Sequence, residues 1–184
     1  LQNTFDESEK YNFDLLREIY SQYDNLDKDK INNNIVDFEI SYPWEQLEDT
    51  LSENELKSRD KWQSIFMPSG SIVAGRTDNE HWLTFGTPNT IPVLYSNLPI
   101  LMARSYVDVP VRIGQMIPNN EIEEPRVINW SSLPEGNDLN VRMSGLVWPE
   151  ASQRIANSAY LTRERIGDGQ VILFSGEPNF RGAT

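Results

Sequence analysis

The sequence predicts a strand-rich domain of the α/β or α+β class, preceded by an acidic, helix-containing segment. From residue 71 onward, short apolar and β-branched runs alternate with proline and glycine, which is typical of strands joined by turns. Before that point, apolar residues recur at three- and four-residue spacing, which is typical of amphipathic helices. We therefore expect residues 1–60 to form the acidic segment and residues 61–184 to form the strand-rich domain.

Two helices and one strand are expected in the first part of the chain. The spacing predicts a helix over Ser8–Tyr23 and an alternating strand over Ile35–Ile40. A second helix is expected over Ser52–Phe66, because Ser52 followed by Glu55 fits a capping box at its start.

The remaining elements are short. Six strands bounded by proline or glycine are expected first, over Ser71–Ala74, His81–Phe85, Ile91–Tyr95, Ile100–Ala103, Val109–Ile113 and Val127–Trp130. A helix over Pro149–Asn157 follows, since proline is well tolerated at a first helical position. The chain then predicts a strand over Tyr160–Arg165, a tight turn over 166–169 and a final strand over Val171–Phe174.

The final strand carries an expectation of its own. An apolar run without polar alternation predicts a buried strand, which needs neighbouring elements on both sides. Because the printed sequence ends ten residues after Phe174, we expect the chain to belong to a larger protein.

Charge and composition exclude several classes of function. The net charge is −12, and residues 1–60 account for most of it, with 16 acidic and 6 basic side chains. Such a field disfavours nucleic acid and anionic lipid, which both require a basic face. No apolar run approaches the roughly 20 residues needed to cross a bilayer, so no membrane span is expected. The chain has no cysteine, which excludes disulfides, thiolate nucleophiles and zinc-thiolate sites.

No catalytic or metal site is predicted from the residues themselves. The single histidine, His81, is expected to fill a half-buried position in a strand. Pairing it with Ser69 or Ser71 lacks the Gly-x-Ser-x-Gly pattern of a nucleophile elbow. The acidic run Asp24–Lys30 lacks the glycine and the final glutamate of a calcium-binding EF-hand loop.

Four residues are candidates for binding. Trp82 and Trp148 are suited to stacking against a sugar or a peptide, although tryptophans also serve as core residues. Asn179 and Arg181 follow the last strand at its carboxyl end, where open α/β sheets bind ligands, and Arg181 would hold a carboxylate there. The alternative is that Asn179 caps a turn and Arg181 pairs with a neighbouring acid.

Several motifs between Trp62 and Arg181 resemble the C-terminal region of large bacterial zinc-carboxypeptidase-like proteins of the M14 family. They are Trp62-Gln63-Ser64-Ile65-Phe66-Met67-Pro68-Ser69-Gly70, His81-Trp82-Leu83-Thr84-Phe85-Gly86, Ser144-Gly145-Leu146-Val147-Trp148-Pro149-Glu150-Ala151 and Pro178-Asn179-Phe180-Arg181-Gly182. In that family an N-terminal metallopeptidase precedes a domain similar to class I glutamine amidotransferases. The resemblance therefore implies a flavodoxin-like, amidotransferase-like domain in a periplasmic, secreted or cell-surface protein.

The resemblance carries no catalytic residue to this chain. The family's zinc ligands, a His-x-x-Glu pair and a later histidine, have no matching positions here, and an amidotransferase needs a cysteine. We therefore expect a non-catalytic accessory or interaction domain without a cofactor, whose partner is the rest of the parent chain or another protein. Two alternatives stay open: the chain is part of an active carboxypeptidase whose zinc lies in a domain outside it, or it is a module that binds a peptide or a glycan.

Overall fold

The computed structural model of the chain describes residues 52–178. Their helices and strands are, in chain order, α1 (Glu53–Ile65), β1 (Ser69–Thr77), a 3₁₀ helix (Trp82–Thr84), β2 (Thr90–Ser96), β3 (Asp108–Ile113), β4 (Gln115–Pro118), β5 (Arg126–Ile128), β6 (Ser131–Leu133), β7 (Asn137–Asn140), β8 (Arg142–Ser144), α2 (Pro149–Ile155), β9 (Ala159–Ile166) and β10 (Gly169–Phe174). The expected strand-rich character is confirmed for this part of the chain.

The largest sheet has six strands and curls into a half-barrel. Five of them lie in the order β10-β9-β3-β1-β2, and β8 pairs with the edge of β1 that β3 leaves free. β4 pairs with β7 and β5 with β6, in two small separate sheets. Every pairing among the described strands is antiparallel, so α+β is the class that fits residues 52–178.

β1 is the centre of this sheet, and Gly75 explains how closely its neighbours approach. A Cβ atom at Gly75 would lie 2.8 Å from Cγ2 of Val93 and 3.1 Å from Cγ1 of Val111. The side chains of β2 and β3 therefore meet over the backbone of β1, where only glycine leaves room for them.

The core lies between the sheet, α2 and the small β-hairpins. Its buried side chains come from every layer and are Val73, Val93, Tyr95, Val111, Ile113, Leu133, Leu139, Val141, Val147, Ala151, Ile155, Ala156, Tyr160 and Leu161. Each fully buried leucine or isoleucine contributes roughly 1.5 to 3 kcal/mol relative to an exposed one.

Both helices expected within residues 52–178 are present. The backbone carbonyl of Ser52 accepts a hydrogen bond from the amide of Leu56 at 3.0 Å, which places the start of α1 where the capping pattern predicts it. α2 begins with Pro149 at its first turn, because Trp148 adopts the extended conformation of an N-cap residue.

The expected strand His81–Phe85 is wrong. The segment forms a 3₁₀ helix instead, because local polar groups satisfy its backbone. The Nδ1 atom of His81 accepts a hydrogen bond from the amide of Leu83 at 3.2 Å, and the Thr84 hydroxyl donates to the carbonyls of Asp78 and His81.

The expected strand Ile100–Ala103 is also wrong, since only an isolated bridge between Leu101 and Ala159 forms there. Val127–Trp130 is shorter than expected and ends at Ile128, where a turn leads into β6. Four short strands, β4, β6, β7 and β8, were not predicted, because runs of three or four mostly polar residues carry little alternation.

The final strand is present, but its predicted burial is wrong. β10 lies at the end of the sheet and pairs only with β9 among the described strands. The side chains of Val171, Leu173 and Phe174 are all exposed. An apolar run indicates a strand, but the number of its neighbours depends on topology.

The other expectations concern residues outside the described range. The helix Ser8–Tyr23 and the strand Ile35–Ile40 lie there, and so do the candidate binding residues Asn179 and Arg181. The division at residue 60 and the amidotransferase-like identity of the domain stay predictions.

Candidate functional site

The loop between β1 and β2 carries two exposed aromatic side chains close to a group of charged residues. The Thr77 hydroxyl donates a hydrogen bond to the carbonyl of Pro88 at 2.7 Å, which closes the base of the loop. At its tip, the indole of Trp82 is 57% exposed, and Phe85 is exposed as well. Trp82 is therefore accessible to solvent, as its candidate role in binding requires.

The ring of Trp82 is held in place by its neighbour His81. The two rings are stacked, with centroids 5.9 Å apart and an angle of 27° between their planes. Because Nδ1 of His81 faces the amide of Leu83, the Nε2 atom points out of the loop, 3.7 Å from Oδ2 of Asp108. His81 is half-buried, as the sequence predicts.

Asp108 joins this loop to the sheet. Its Oδ2 atom accepts a hydrogen bond from Arg163 at 2.9 Å, and Nε of Arg163 donates to Oε1 of Gln170 at 2.9 Å. The result is a continuous polar row, which we call the Asp108 row: His81, Asp108, Arg163 and Gln170. The hydrogen bond from Arg163 lowers the pKa of Asp108 below its ordinary value; partial burial opposes this, and the positive charge of Arg163 adds to the lowering. Asp108 is therefore ionised at neutral pH.

Sequence reasoning missed Asp108 and Arg163. They are 55 positions apart and meet only because β3 and β9 pair in the register that places them opposite each other. Nothing in the local sequence marks either residue.

A shallow cavity of about 320 Å³ continues from the Asp108 row. It is lined by Arg163, Arg165, Gln170 and the hairpin turn 167–169 between β9 and β10. A small polar ligand in this cavity would find hydrogen-bond donors and acceptors and charged groups of both signs.

Trp148 has different surroundings. Its indole packs against the hydrophobic core and contacts the ring of Phe66 edge-on, with centroids 6.4 Å apart. It also occupies the N-cap position of α2. Trp82 therefore contacts the ring of His81, and Trp148 contacts the ring of Phe66. The rings of the two tryptophans do not contact each other.

β10 provides a second exposed surface. In its antiparallel pairing with β9, Val171 lies opposite Glu164 and Leu173 opposite Thr162, so both apolar side chains project from one face of the sheet. Phe174 lies opposite Leu161 in the register and contacts the ring of Tyr160 edge-on. Leu173 is 53% exposed and Phe174 is 43% exposed. We call Val171, Leu173 and Phe174 the β10 edge.

Ser71 and His81 do not form the serine–histidine pair of a hydrolase, because each has another partner in the structure. The Ser71 hydroxyl is buried and donates to the carbonyl of Leu146 at 2.5 Å, while His81 faces Asp108. Within residues 52–178, no group of three or more histidine and acidic side chains is arranged to hold a metal ion.

Comparison with known proteins adds no relative: no family model, no curated protein and no solved structure matches the chain. Across the described residues, neither helix combines the length and the apolar character that crossing a membrane requires.

Proposed function

We propose that the chain is a non-catalytic interaction domain of a secreted or periplasmic zinc-carboxypeptidase-like protein of the M14 family. The family assignment is supported by the four motifs between Trp62 and Arg181. The non-catalytic role is supported by the sequence, which offers one histidine and no cysteine, too few for the usual nitrogen and sulfur ligands of catalytic zinc. Any zinc would be held by another domain of the parent protein.

The β10 edge is the observation that carries the interaction role. An edge strand presents unpaired backbone N–H and C=O groups, and soluble proteins usually protect such strands with charges, proline or a covering element. None of Val171, Ile172, Leu173 and Phe174 is charged or a proline, and no strand of residues 52–178 pairs with the free edge of β10. Exposed apolar side chains on such an edge are typical of a surface that a further chain segment covers.

The partner we propose is another segment of the parent polypeptide. In the family that the motifs resemble, this region lies at the C-terminal side of a larger chain, so such a segment is covalently linked to the edge it covers. A linked segment binds at high effective concentration, which suits an apolar edge that would otherwise associate at random.

A pair of matched variants tests the role of the β10 edge. In the chain by itself the β10 edge should cause concentration-dependent self-association, measured by sedimentation velocity. Leu173→Lys should suppress it, because a charge on an edge strand opposes pairing. Val127→Lys, which changes a 71% exposed apolar side chain in a different sheet, should not. A chain that stays monomeric at all concentrations, or equal behaviour of both variants, would contradict the proposal.

The sequence of the complete coding gene tests the family assignment separately. A His-x-x-Glu pair with a later histidine, encoded in the same reading frame, would support a zinc-carboxypeptidase parent. If that parent is an active peptidase, the alternative that this chain is one part of an active carboxypeptidase stays in place. A complete reading frame without those residues would contradict the assignment.

Trp82 favours a second function, the binding of a glycan or a peptide. Its exposed ring lies beside the Asp108 row, which supplies donors and acceptors next to a stacking face. Titration with soluble peptidoglycan fragments, which contain both sugar and peptide, should change the tryptophan fluorescence in a saturable way. Trp82→Ala should abolish the change and Trp130→Ala, at another exposed tryptophan, should preserve it. Binding that survives Trp82→Ala would rule out this role for Trp82.

A further inference from the structure

Two arginines face each other on the side of the sheet opposite to the side chain of Val111. Arg76 of β1 and Arg112 of β3 are direct partners in the antiparallel register, so their side chains leave the sheet in the same direction. Like charges placed directly opposite in a sheet destabilise it. Among residues 52–178, neither guanidinium forms an ion pair with a carboxylate.

Both guanidinium groups converge on Asn157. Arg76 donates to Oδ1 of Asn157 at 2.9 Å, and Arg112 donates to its backbone carbonyl at 3.2 Å. Asn157 is fully buried and fixed in turn, because its side-chain amide donates to the carbonyls of Ile128 and Ser131. The two positive charges are therefore held close together by a rigid, neutral residue.

Most of the donor capacity of this pair is unused. A guanidinium carries five N–H groups. Arg76 uses two of its nitrogens, since it also donates to the carbonyl of Gly114, and Arg112 uses one. Both side chains are partly exposed, and none of their nitrogens is among the buried unpaired atoms of the described residues. At least Nε of Arg76 and Nε and Nη2 of Arg112 therefore reach solvent.

The surroundings of the pair disfavour two uncompensated charges. Burial lowers the pKa of Arg76 to about 10, and repulsion from Arg112 acts in the same direction. Burial also lowers the pKa of Arg112. Both groups are still charged at neutral pH, so a bound anion would relieve the repulsion between them.

We propose that Arg76 and Arg112 together bind an oxyanion, either a carboxylate or a phosphate. The planar fork of a guanidinium matches two oxygens of such a group, and two adjacent forks bind it more strongly than one. The anion has two possible sources: a free ion, or an Asp or Glu side chain of residues 1–51, which carry 13 acidic and 4 basic side chains.

The test follows the Nε–H signals of the arginines by NMR in the whole 184-residue chain. Sodium phosphate replaces sodium chloride at constant ionic strength and neutral pH. The signals of Arg76 and Arg112 should move together and saturate, while that of Arg104, in an exposed loop, should stay in place. Arg112→Gln should abolish the saturable movement of the Arg76 signal, and Arg104→Gln should leave it unchanged.

Two further measurements keep the test decisive. If Arg112→Gln unfolds the chain, Arg112→Lys keeps the charge without the fork, and the affinity for phosphate should fall by about ten-fold or more. If a carboxylate of residues 1–51 already occupies the site, phosphate will not move the signals. Acidification within the folded range should then shift both of them together, as that carboxylate is protonated.

The proposal is overturned if neither phosphate nor acidification moves the Arg76 and Arg112 signals more than the Arg104 signal. The arginines would then serve only to satisfy the carbonyls around Asn157.

Discussion

Gly114 packs directly against the side chain of Leu139. A Cβ atom at Gly114 would lie 2.6 Å from Cγ of Leu139, and the backbone of Gly114 has a φ of 106°. Gly114 separates β3 from β4, so the chain turns out of the main sheet at the point where Leu139 of β7 fills the core. Both the space and the backbone conformation at this position require glycine.

Gly114→Ala should therefore destabilise the domain twice over. The positive φ costs about 1 kcal/mol for a non-glycine residue, and the overlap with Leu139 adds roughly 1 to 3 kcal/mol. Gly136→Ala is the matched control, because Gly136 also has a positive φ, 69°, but no atom within 4 Å of a Cβ. Urea denaturation of both variants checks this prediction, and equal losses would show that Leu139 moves aside freely.

Asn157→Ala should destabilise the domain more than most single substitutions. It removes the hydrogen bonds from the Asn157 amide to the carbonyls of Ile128 and Ser131 and the acceptor of an Arg76 hydrogen bond, at an expected cost of about 2 to 4 kcal/mol. The control is Asn97→Ala, since Asn97 shares the positive φ but is exposed. If both variants unfold at the same urea concentration, the hydrogen bonds of Asn157 contribute little.

The stability of the domain should fall steeply in strong alkali because of Tyr95. Burial raises the pKa of Tyr95 to about 12, and the charge of Arg154 opposes this only in part. In the unfolded chain the phenol loses its proton near pH 10. Between these two pH values the unfolded state binds fewer protons than the folded state, so stability decreases as pH rises.

Tyr95→Phe isolates this effect. The variant loses the hydrogen bond from the Tyr95 hydroxyl to the carbonyl of Leu98, at a cost of about 1 kcal/mol at neutral pH. Between pH 10 and 12 the wild type should then lose about 2 kcal/mol more than the variant. Denaturation curves at several pH values check this, and parallel pH dependence of the two proteins would contradict it.

Trp148→Ala should cost more than Phe174→Ala. Trp148 packs against the core and Phe66, so its removal should cost about 2 to 4 kcal/mol. Phe174 is largely exposed on the edge strand and contacts Tyr160, so its loss should cost about 1 kcal/mol or less in the chain by itself. Thermal unfolding of both variants checks this order, and equal losses of stability would contradict it.

The elements that the sequence predicts well are those whose signals are local. α1 begins where the Ser52 capping pattern predicts it, and α2 begins at Pro149. The hairpin of β9 and β10 turns at Gly167 and Asp168, inside the tight turn expected there. The errors occur where tertiary context decides. His81–Phe85 has strand-like composition, but the side chains of its own loop satisfy its backbone.

The candidate site was predictable only in part. The exposed ring of Trp82 is the feature that the sequence proposes, whereas the ion pair of Asp108 with Arg163 depends on the register between two distant strands. The pairing of Arg76 with Arg112 has the same origin. Spacing within a short stretch of sequence does not show which residues of two distant strands lie opposite each other. These contacts are therefore visible only in the folded sheet.

Hydrogen exchange of β10 shows whether another segment of the parent protein covers this edge. The backbone amides of Ile172, Leu173 and Phe174 would be compared between this chain by itself and the complete product of its gene. If another segment of the parent covers the β10 edge, the amides that point away from β9 should be protected at least about ten-fold more strongly in the complete product. Equal and strong protection in both proteins would contradict the proposal that this edge is an interaction surface.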